Sequence, residues 1–156
     1  MTFEVRRIES PEDLDAALAI RLAVFVEEQH VPLAEEIDRH DEAPWTRDEA
    51  AYVLGRLDGV PVATGRLLLE ATPGAFPHIG RVAVLAPYRG HGYGRALMLA
   101  LHEVARAHGA AGVTLAAQTH AIPFYERLGY VARGPVYLDA GIEHRDMDLP
   151  FTAAAS

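Results

Sequence analysis

Residues 89–95 have the residue types and spacing in this sequence best suited to chemistry. They read Arg-Gly-His-Gly-Tyr-Gly-Arg, with three glycines spaced by two and an arginine at each end. Glycines let the backbone N–H groups of a turn point into one concavity, and the dipole of a following helix adds partial positive charge. The two arginines, in an otherwise acidic protein, favour a bound anion such as a pyrophosphate over a turn without a ligand.

Other well-known chemistries do not fit these residues. A dinucleotide fold would show Gly-x-Gly-x-x-Gly near the chain start, with an acidic residue about 20 positions later. The sequence has no lysine, which excludes Schiff-base chemistry and the P-loop of nucleotide hydrolases. It has no cysteine, which excludes disulfides, thiolate metal sites and a cysteine nucleophile. Ser10 and Ser156 lie outside any Gly-x-Ser-x-Gly elbow, which argues against a serine hydrolase.

The composition predicts one soluble domain. The chain has 156 residues, of which 50% are hydrophobic, enough for a compact core. No apolar stretch could span a bilayer, and residues 1–7 lack the apolar run of a signal peptide, so we expect a cytoplasmic protein without a membrane partner. The net charge of −8 argues against a nucleic-acid partner and favours a cationic amine as substrate, although acidity also simply keeps small proteins soluble.

The elements that must position the glycine loop follow a mixed α/β order. The first half predicts a strand at 3–8, a helix capped by Ser10 and ending near residue 26, an acidic loop with a short helical turn at 33–48, and a hairpin of 51–57 and 60–69 around Asp58-Gly59. Gly65 predicts a bulge or a close backbone contact. The second half predicts a strand at 79–85, a helix at 92–108, a strand at 113–117, a helix at 121–128, a pairing of 130–131 with 137–138, and a strand at 144–149 that closes the sheet.

Two motifs resemble those of a known family. The loop, preceded by RVAVLAPY at 81–88, looks like motif A of the GNAT (Gcn5-related N-acetyltransferase) superfamily, and AIPFYERLGY at 121–130 resembles motif B. FVEEQ at 25–29 and EID at 36–38 resemble the ElaA-like subgroup. The resemblance implies one GNAT-like α/β domain over 1–151, followed by a short flexible tail at 152–156. Its central sheet would be mostly antiparallel and twisted, splayed at a cofactor cleft and flanked by helices.

The resemblance implies acetyl-CoA as cosubstrate. Strand 82–84 would splay from strand 113–117, and the V-shaped cleft between them would hold pantetheine through backbone at Val82 and Val84. Backbone amides of 89–95 would hold the pyrophosphate. Gln118 stands where many family members carry asparagine. The longer glutamine side chain would change how the acyl arm of the cofactor is positioned. The implied cofactor-binding residues are Val82, Ala83, Val84, Arg89, Gly90, His91, Gly92, Tyr93, Gly94, Arg95, Gln118, Ala121 and Phe124.

The implied chemistry is direct attack of an amine on the thioester in a ternary complex, because without cysteine no acyl-cysteine can form. Tyr125 stands where the family usually carries the tyrosine that protonates the departing thiol; the alternative is a packed tyrosine with a capped hydroxyl. Glu28 is the first candidate for the base, because it ends the first helix, where family members often carry acceptor-site residues. The candidate acceptor-site residues are Glu28, Asp38, His40, Asp41 and His120. No histidine spacing fits a metal site, and we expect none.

Several alternatives stay open at this level. The leading hypothesis is an N-acetyltransferase that acts on a primary amine of a small molecule or peptide. The second is a non-catalytic module that binds or senses acyl-CoA, and the third is an interaction domain with a vestigial loop. The acceptor and the acyl-chain length are not readable. A homodimer is an option, because members of this superfamily are often dimers.

Overall fold

The computed structural model describes residues 1–69 and 74–152. The strands are β1 (Phe3–Arg7), β2 (Ala50–Leu57), β3 (Val60–Leu68), β4 (His78–Val84), β5 (Gly112–Gln118), β6 (Val131–Asp139) and β7 (Ile142–Pro150). The helices are α1 (Pro11–Arg21), α2 (Leu33–Glu36), α3 (Tyr93–Ala107) and α4 (Ile122–Arg127), and α1 continues as a π-helix (Leu22–Glu28). Within the described ranges, no helix combines the length and the apolarity needed to cross a membrane.

The strands form one seven-stranded sheet in the order β1-β2-β3-β4-β5-β7-β6. Neighbouring strands are antiparallel except β4 and β5, which are parallel. Alternate residues of β2 serve two cores: Ala51 and Val53 lie in the core under α3, and Tyr52 and Leu54 lie in the core under α1. The predicted single α/β domain with a mostly antiparallel open sheet is therefore confirmed.

The first helix begins as the sequence predicts. The side-chain oxygen of Ser10 accepts a hydrogen bond from the Asp13 amide at 3.3 Å, and Pro11 occupies the first helical position. Beyond Arg21 the helix widens, and the Gln29 amide donates to the Val24 carbonyl at 3.1 Å, five residues back. The helical segment therefore ends at Glu28, two residues later than predicted and in π rather than α geometry.

The central hairpin and the close contact at Gly65 also match the prediction. Asp58 and Gly59 form the turn with positive φ angles of 49° and 84°, the conformation that favours these residue types. The register between β3 and β4 shifts beside Gly65. A Cβ at this position would lie 3.0 Å from Leu101 Cδ1, so Gly65 lets α3 approach the sheet closely.

The C-terminal strands differ from the prediction. Residues 130–131 do not pair with 137–138: Tyr130 precedes β6, and residues 131 and 137–138 all belong to β6, which pairs with β7. Gly134-Pro135 resembles a turn in sequence but lies in an irregularity of this one strand. The strand predicted at 144–149 is β7, which lies between β5 and β6 rather than at the edge.

Candidate functional site

A cleft opens where β4 and β5 part. The two strands pair only at His78–Thr114 and Ile79–Leu115; beyond this point β4 stays paired with β3 and β5 with β7, but not with each other. The cleft has a volume of about 1190 Å³, larger than the roughly 300–1,000 Å³ typical of small-molecule sites. The predicted V-shaped opening is therefore present, with room for an extended ligand and a second reactant.

A bulge in β4 directs this opening. Thr64 faces Ala83 and Arg66 faces Gly80, so β4 carries one more residue than β3 across the same interval. Arg81 adopts a positive φ of 53° within this stretch. A bulge bends its strand and increases the local twist, which accounts for the departure of the end of β4 from β5.

The glycine loop ends the same wall of the cleft. Gly90 and Gly92 both have a φ of 83°, in the left-handed region that side chains rarely adopt. Gly92 caps α3 without any side-chain hydrogen bond, and the first helical bond runs from the Ala96 amide to the Gly92 carbonyl at 3.1 Å. The amides before Ala96 therefore lack helical partners, which makes this helix start suited to bind an anion.

Gly94 lies between the two walls of the cleft. A Cβ placed there would lie 3.5 Å from the Phe124 ring on α4 and 3.8 Å from Val84 on β4. A longer side chain would therefore extend between the walls where an extended ligand has to pass. Among the predicted cofactor-binding residues, His91 alone does not line the cleft; those that do are Val82, Ala83, Val84, Arg89, Gly90, Gly92, Tyr93, Gly94, Arg95, Gln118, Ala121 and Phe124.

Arg89 connects the glycine loop to the end of the π-helix. Its guanidinium donates two hydrogen bonds to the Glu28 carboxylate at 2.8 and 2.9 Å, and its Nε donates to the Val84 carbonyl at 2.8 Å. The hydrogen bonds from Arg89 lower the pKa of Glu28. A carboxylate held in this way is a weak proton acceptor, so the geometry does not favour Glu28 as the base.

Tyr125 lies on α4 and lines the cleft. Its ring packs edge-on against Phe124 and Tyr130, with centroid distances of 5.0 and 5.7 Å. Burial raises the pKa of its hydroxyl to about 12, so the group remains protonated at neutral pH. In the described part of the chain no partner hydrogen-bonds this hydroxyl, so it is not the capped hydroxyl of the packed-tyrosine alternative.

Gln118 joins the end of β5 to the π-helix. Its Nε2 donates to Gln29 Oε1 at 2.7 Å, and its Oε1 accepts from Gln29 Nε2 at 3.2 Å. The same oxygen lies 2.8 Å from His120 Nε2. Because an amide oxygen only accepts, His120 donates from Nε2. The side-chain amide of Gln118 is thus already hydrogen-bonded to Gln29 and His120. To contact an acyl arm, it has to give up one of these hydrogen bonds.

The acidic segment forms a buried ionic cluster, which consists of Arg21, Glu36, Asp38, Asp41, Tyr52, Arg66 and Arg81. Arg21 pairs with Glu36 at 2.8 Å and with Asp41 at 2.6 Å. Arg66 pairs with Asp38 at 2.7 Å. Burial alone would raise the pKa of Asp41, but hydrogen bonds from Arg21 and Tyr52 hold it below its ordinary value.

Because of this cluster, the acidic segment does not form the negatively charged acceptor site that the sequence suggested. The three guanidinium groups of the cluster balance its three carboxylates, so it offers no net negative charge to a cationic acceptor. His40 and Asp41 are only 8% and 7% exposed, and neither they nor Asp38 line the cleft. Of the predicted acceptor-site residues, the structure brings only Glu28 and His120 to the cleft.

The cleft residues that the sequence reasoning missed include His78, Arg81 and His144. His144 lies on β7 directly opposite Gln118 of β5. Knowledge of the strand order would have identified His144, because residue 144 reaches the cleft only when β7 lies next to β5. Within residues 1–69 and 74–152, no group of three or more histidine, aspartate or glutamate side chains is arranged to hold a metal ion.

Known proteins share this sequence pattern and this fold. YjcF of Bacillus subtilis (strain 168), described as an uncharacterized N-acetyltransferase, is 37% identical over 137 residues, which are 87% of this chain and 91% of the relative. The crystal structure of Escherichia coli ElaA superimposes with a TM-score of 0.81 and 31% identity, over 94% of this chain and 99% of that chain. The crystal structure of an acyl-CoA N-acyltransferase from Pseudomonas aeruginosa superimposes with a TM-score of 0.80 and 32% identity, over 94% of this chain and 99% of that chain.

The family model described as the acetyltransferase (GNAT) family matches residues 14–130, which include both motifs, the glycine loop and the whole of β5. The match therefore spans well over half of the 156 residues. The chain belongs to the acetyltransferase (GNAT) family.

Proposed function

We propose that this protein transfers an acetyl group from acetyl-CoA to a primary amine of a small molecule or peptide. The observation that carries the proposal is the glycine loop at the start of α3, with unpartnered amides beside the splayed strands. Backbone amides and the helix dipole suit the pyrophosphate of CoA. The exposed edges of β4 and β5 beyond their last pair suit an extended pantetheine arm.

Transfer by direct attack makes two demands on the protein. An amine with a pKa of about 10.4 is protonated at neutral pH and has to lose a proton before it can attack. The departing sulfur, with a thiol pKa of about 8.5, leaves more easily when a donor hydrogen-bonds it. The free, protonated hydroxyl of Tyr125 in the cleft supports the second role.

Turnover with an amine panel tests this function. Release of free thiol from acetyl-CoA is followed with a polyamine, an aminoglycoside, free amino acids and a lysine peptide as acceptors. We expect at least one acceptor to raise thiol release well above hydrolysis by water. Saturable acetyl-CoA binding without turnover on any amine would instead support the non-catalytic sensing module.

Tyr125→Phe tests the proposed acid with the best acceptor. We expect kcat to fall by about 10²-fold, within the range of a lost general acid, while acetyl-CoA affinity stays within a factor of two or so. Tyr130→Phe is the matched control, because its hydroxyl contacts the buried His102 outside the cleft, and phenylalanine keeps the ring packing on Tyr125. An unchanged kcat in Tyr125→Phe would remove Tyr125 from the mechanism.

A cytoplasmic location, a homodimer and the flexible tail at 152–156 stay predictions, and residues 153–156 of that tail lie outside the described residues. Size-exclusion chromatography with light scattering measures the oligomeric state directly.

A further inference from the structure

We propose that His144 is the general base, which takes the proton from the ammonium group of the acceptor. The inference rests on the proposed function and adds the residue that makes the amine nucleophilic. His144 lies on β7, lines the same cleft as Tyr125, and stands opposite Gln118 at the open end of β5. His144 and Tyr125 therefore border the same open space, and the proposal places the acceptor there.

The hydrogen bonding of the His144 ring fixes where it can accept a proton. Its Nδ1 lies 2.7 Å from the Ile142 carbonyl oxygen. A carbonyl oxygen only accepts, so Nδ1 carries the hydrogen and Nε2 carries the lone pair in the neutral ring. No partner within the described residues occupies Nε2. The ring also stacks on Tyr137, with 6.1 Å between centroids and 22° between planes, which holds its orientation.

The other candidate bases are less suited. Glu28 is committed to Arg89 through two hydrogen bonds. His40 and Asp41 are buried outside the cleft. His120 lines the cleft, but it is exposed on a short turn, and its ring contacts only the Gln118 amide oxygen. His78 also lines the cleft, but within the described residues no hydrogen bond fixes its tautomer. Of these candidates, only His144 combines a cleft position, a tautomer fixed by a backbone carbonyl and a packed ring.

The acceptor nitrogen loses two protons during the reaction. The ammonium group gives one proton to His144 Nε2, and the freed lone pair of the nitrogen forms the C–N bond. The C–S bond breaks and its electron pair leaves on sulfur, which takes a proton from Tyr125. The second proton lost by the nitrogen restores Tyr125, and His144 releases its proton to solvent. The net products are the amide, free CoA thiol and one proton.

Polar and charged groups surround His144 on β5, β6 and β7. From β6 it faces Tyr137, whose hydroxyl donates to Asp146, and from β5 it faces the neutral Gln118, which contacts His120. The charged groups of its own hairpin are Arg133, Asp139, Glu143, Arg145, Asp146 and Asp148.

His144→Asn tests the proposal, because asparagine can still donate to the Ile142 carbonyl but has no basic nitrogen. The probe is the best amine of the thiol-release panel, with kcat/KM measured from pH 5.5 to 9.5. We expect a loss of about 10²- to 10³-fold at pH 7. The variant should regain rate steadily as pH rises and free amine forms, whereas the wild type levels off. Hydroxylamine, which is unprotonated at neutral pH, should react nearly equally with both.

His108→Asn is the matched control, because His108 is exposed outside the cleft and its Nδ1 also lies on a backbone carbonyl, that of Val104 at 2.9 Å; this variant should retain at least half of the wild-type rate. Near-wild-type kcat/KM in His144→Asn at pH 7, or the same loss in His108→Asn, would overturn the proposal. Acetyl-CoA binding distinguishes failure of the proposed base from failure of the proposed function. Wild type and His144→Asn should bind acetyl-CoA with the same affinity. If the wild type does not bind acetyl-CoA, the proposed function itself is wrong. Without any turnover, histidine ¹⁵N NMR still decides: hydrogen on Nε2 of neutral His144 would contradict the assignment.

Discussion

The glycine loop and the ionic cluster both border the cleft, but the charged groups of the loop are exposed, whereas those of the cluster are mostly buried. The loop offers backbone amides at a helix start, and its Arg89 pairs with one carboxylate in a contact where both side chains are 42% exposed. The cluster buries Arg21 and Glu36 almost completely, at 1% and 3% exposure. Charge in the loop is therefore available to a ligand, whereas charge in the cluster holds the acidic segment to the sheet.

The largest effect should come from breaking the cluster. Asp41→Ala removes a partner of both Arg21 and Tyr52 and leaves the buried Arg21 guanidinium with only one of its two carboxylates, that of Glu36. We expect the free energy of unfolding to fall by about 3–5 kcal/mol in urea titrations at pH 7. Asp48→Ala, at an exposed aspartate of the same segment, should change it by less than about 0.5 kcal/mol. Equal effects of the two substitutions would show that the cluster does not stabilise the fold.

The pH dependence of stability should separate the cluster from an ordinary acidic surface. The folded pKa of Asp41 lies below its unfolded value of about 3.9, so its stabilisation is complete above that value. The stabilisation is lost as pH falls through the lower folded pKa. The difference in unfolding free energy between wild type and Asp41→Asn should be constant from pH 7 to about pH 5 and shrink below about pH 4. A difference that stays constant down to pH 3 would contradict this account.

The smallest effect should come from the surface pair at the loop. Glu28→Gln weakens an exposed ion pair and should change the free energy of unfolding by less than about 1 kcal/mol. It also frees Arg89 for a phosphate, so acetyl-CoA affinity should rise severalfold in calorimetric titration. Glu27→Gln, at an exposed neighbouring carboxylate, is the control. If turnover of the Glu28→Gln variant instead slowed by roughly 100-fold, Glu28 would be restored as the base.

Features that depend on a few adjacent residues could be predicted from the sequence. The Asp58-Gly59 turn, the Ser10 cap and the positive φ angles of Gly90 and Gly92 are set by local backbone energetics. The two motifs also predicted where the cleft lies, because the strands that part, β4 and β5, and the helix start between them at α3 follow one another in the sequence.

Features that depend on distant partners could not be predicted in this way. Glu36 meets Arg21 and Arg81, which are 15 and 45 residues away in the chain, so the acidic run looks like an open surface in sequence. His144 depends on the insertion of β7 between β5 and β6, which no local pattern encodes. The irregularity at Gly134-Pro135 further concealed β6 as one strand.

Calorimetric titration with acetyl-CoA tests the central claim most directly, because the glycine loop is proposed to hold the cosubstrate. Gly92→Glu places a carboxylate at the start of α3, and Gly59→Glu makes the same change at a φ of 84° on the hairpin tip, outside the cleft. We predict saturable binding by wild type and Gly59→Glu, and affinity at least about 100-fold weaker in Gly92→Glu, or about 2.7 kcal/mol. No binding by the folded wild type at near-millimolar acetyl-CoA, or equal binding by all three proteins, would contradict the account.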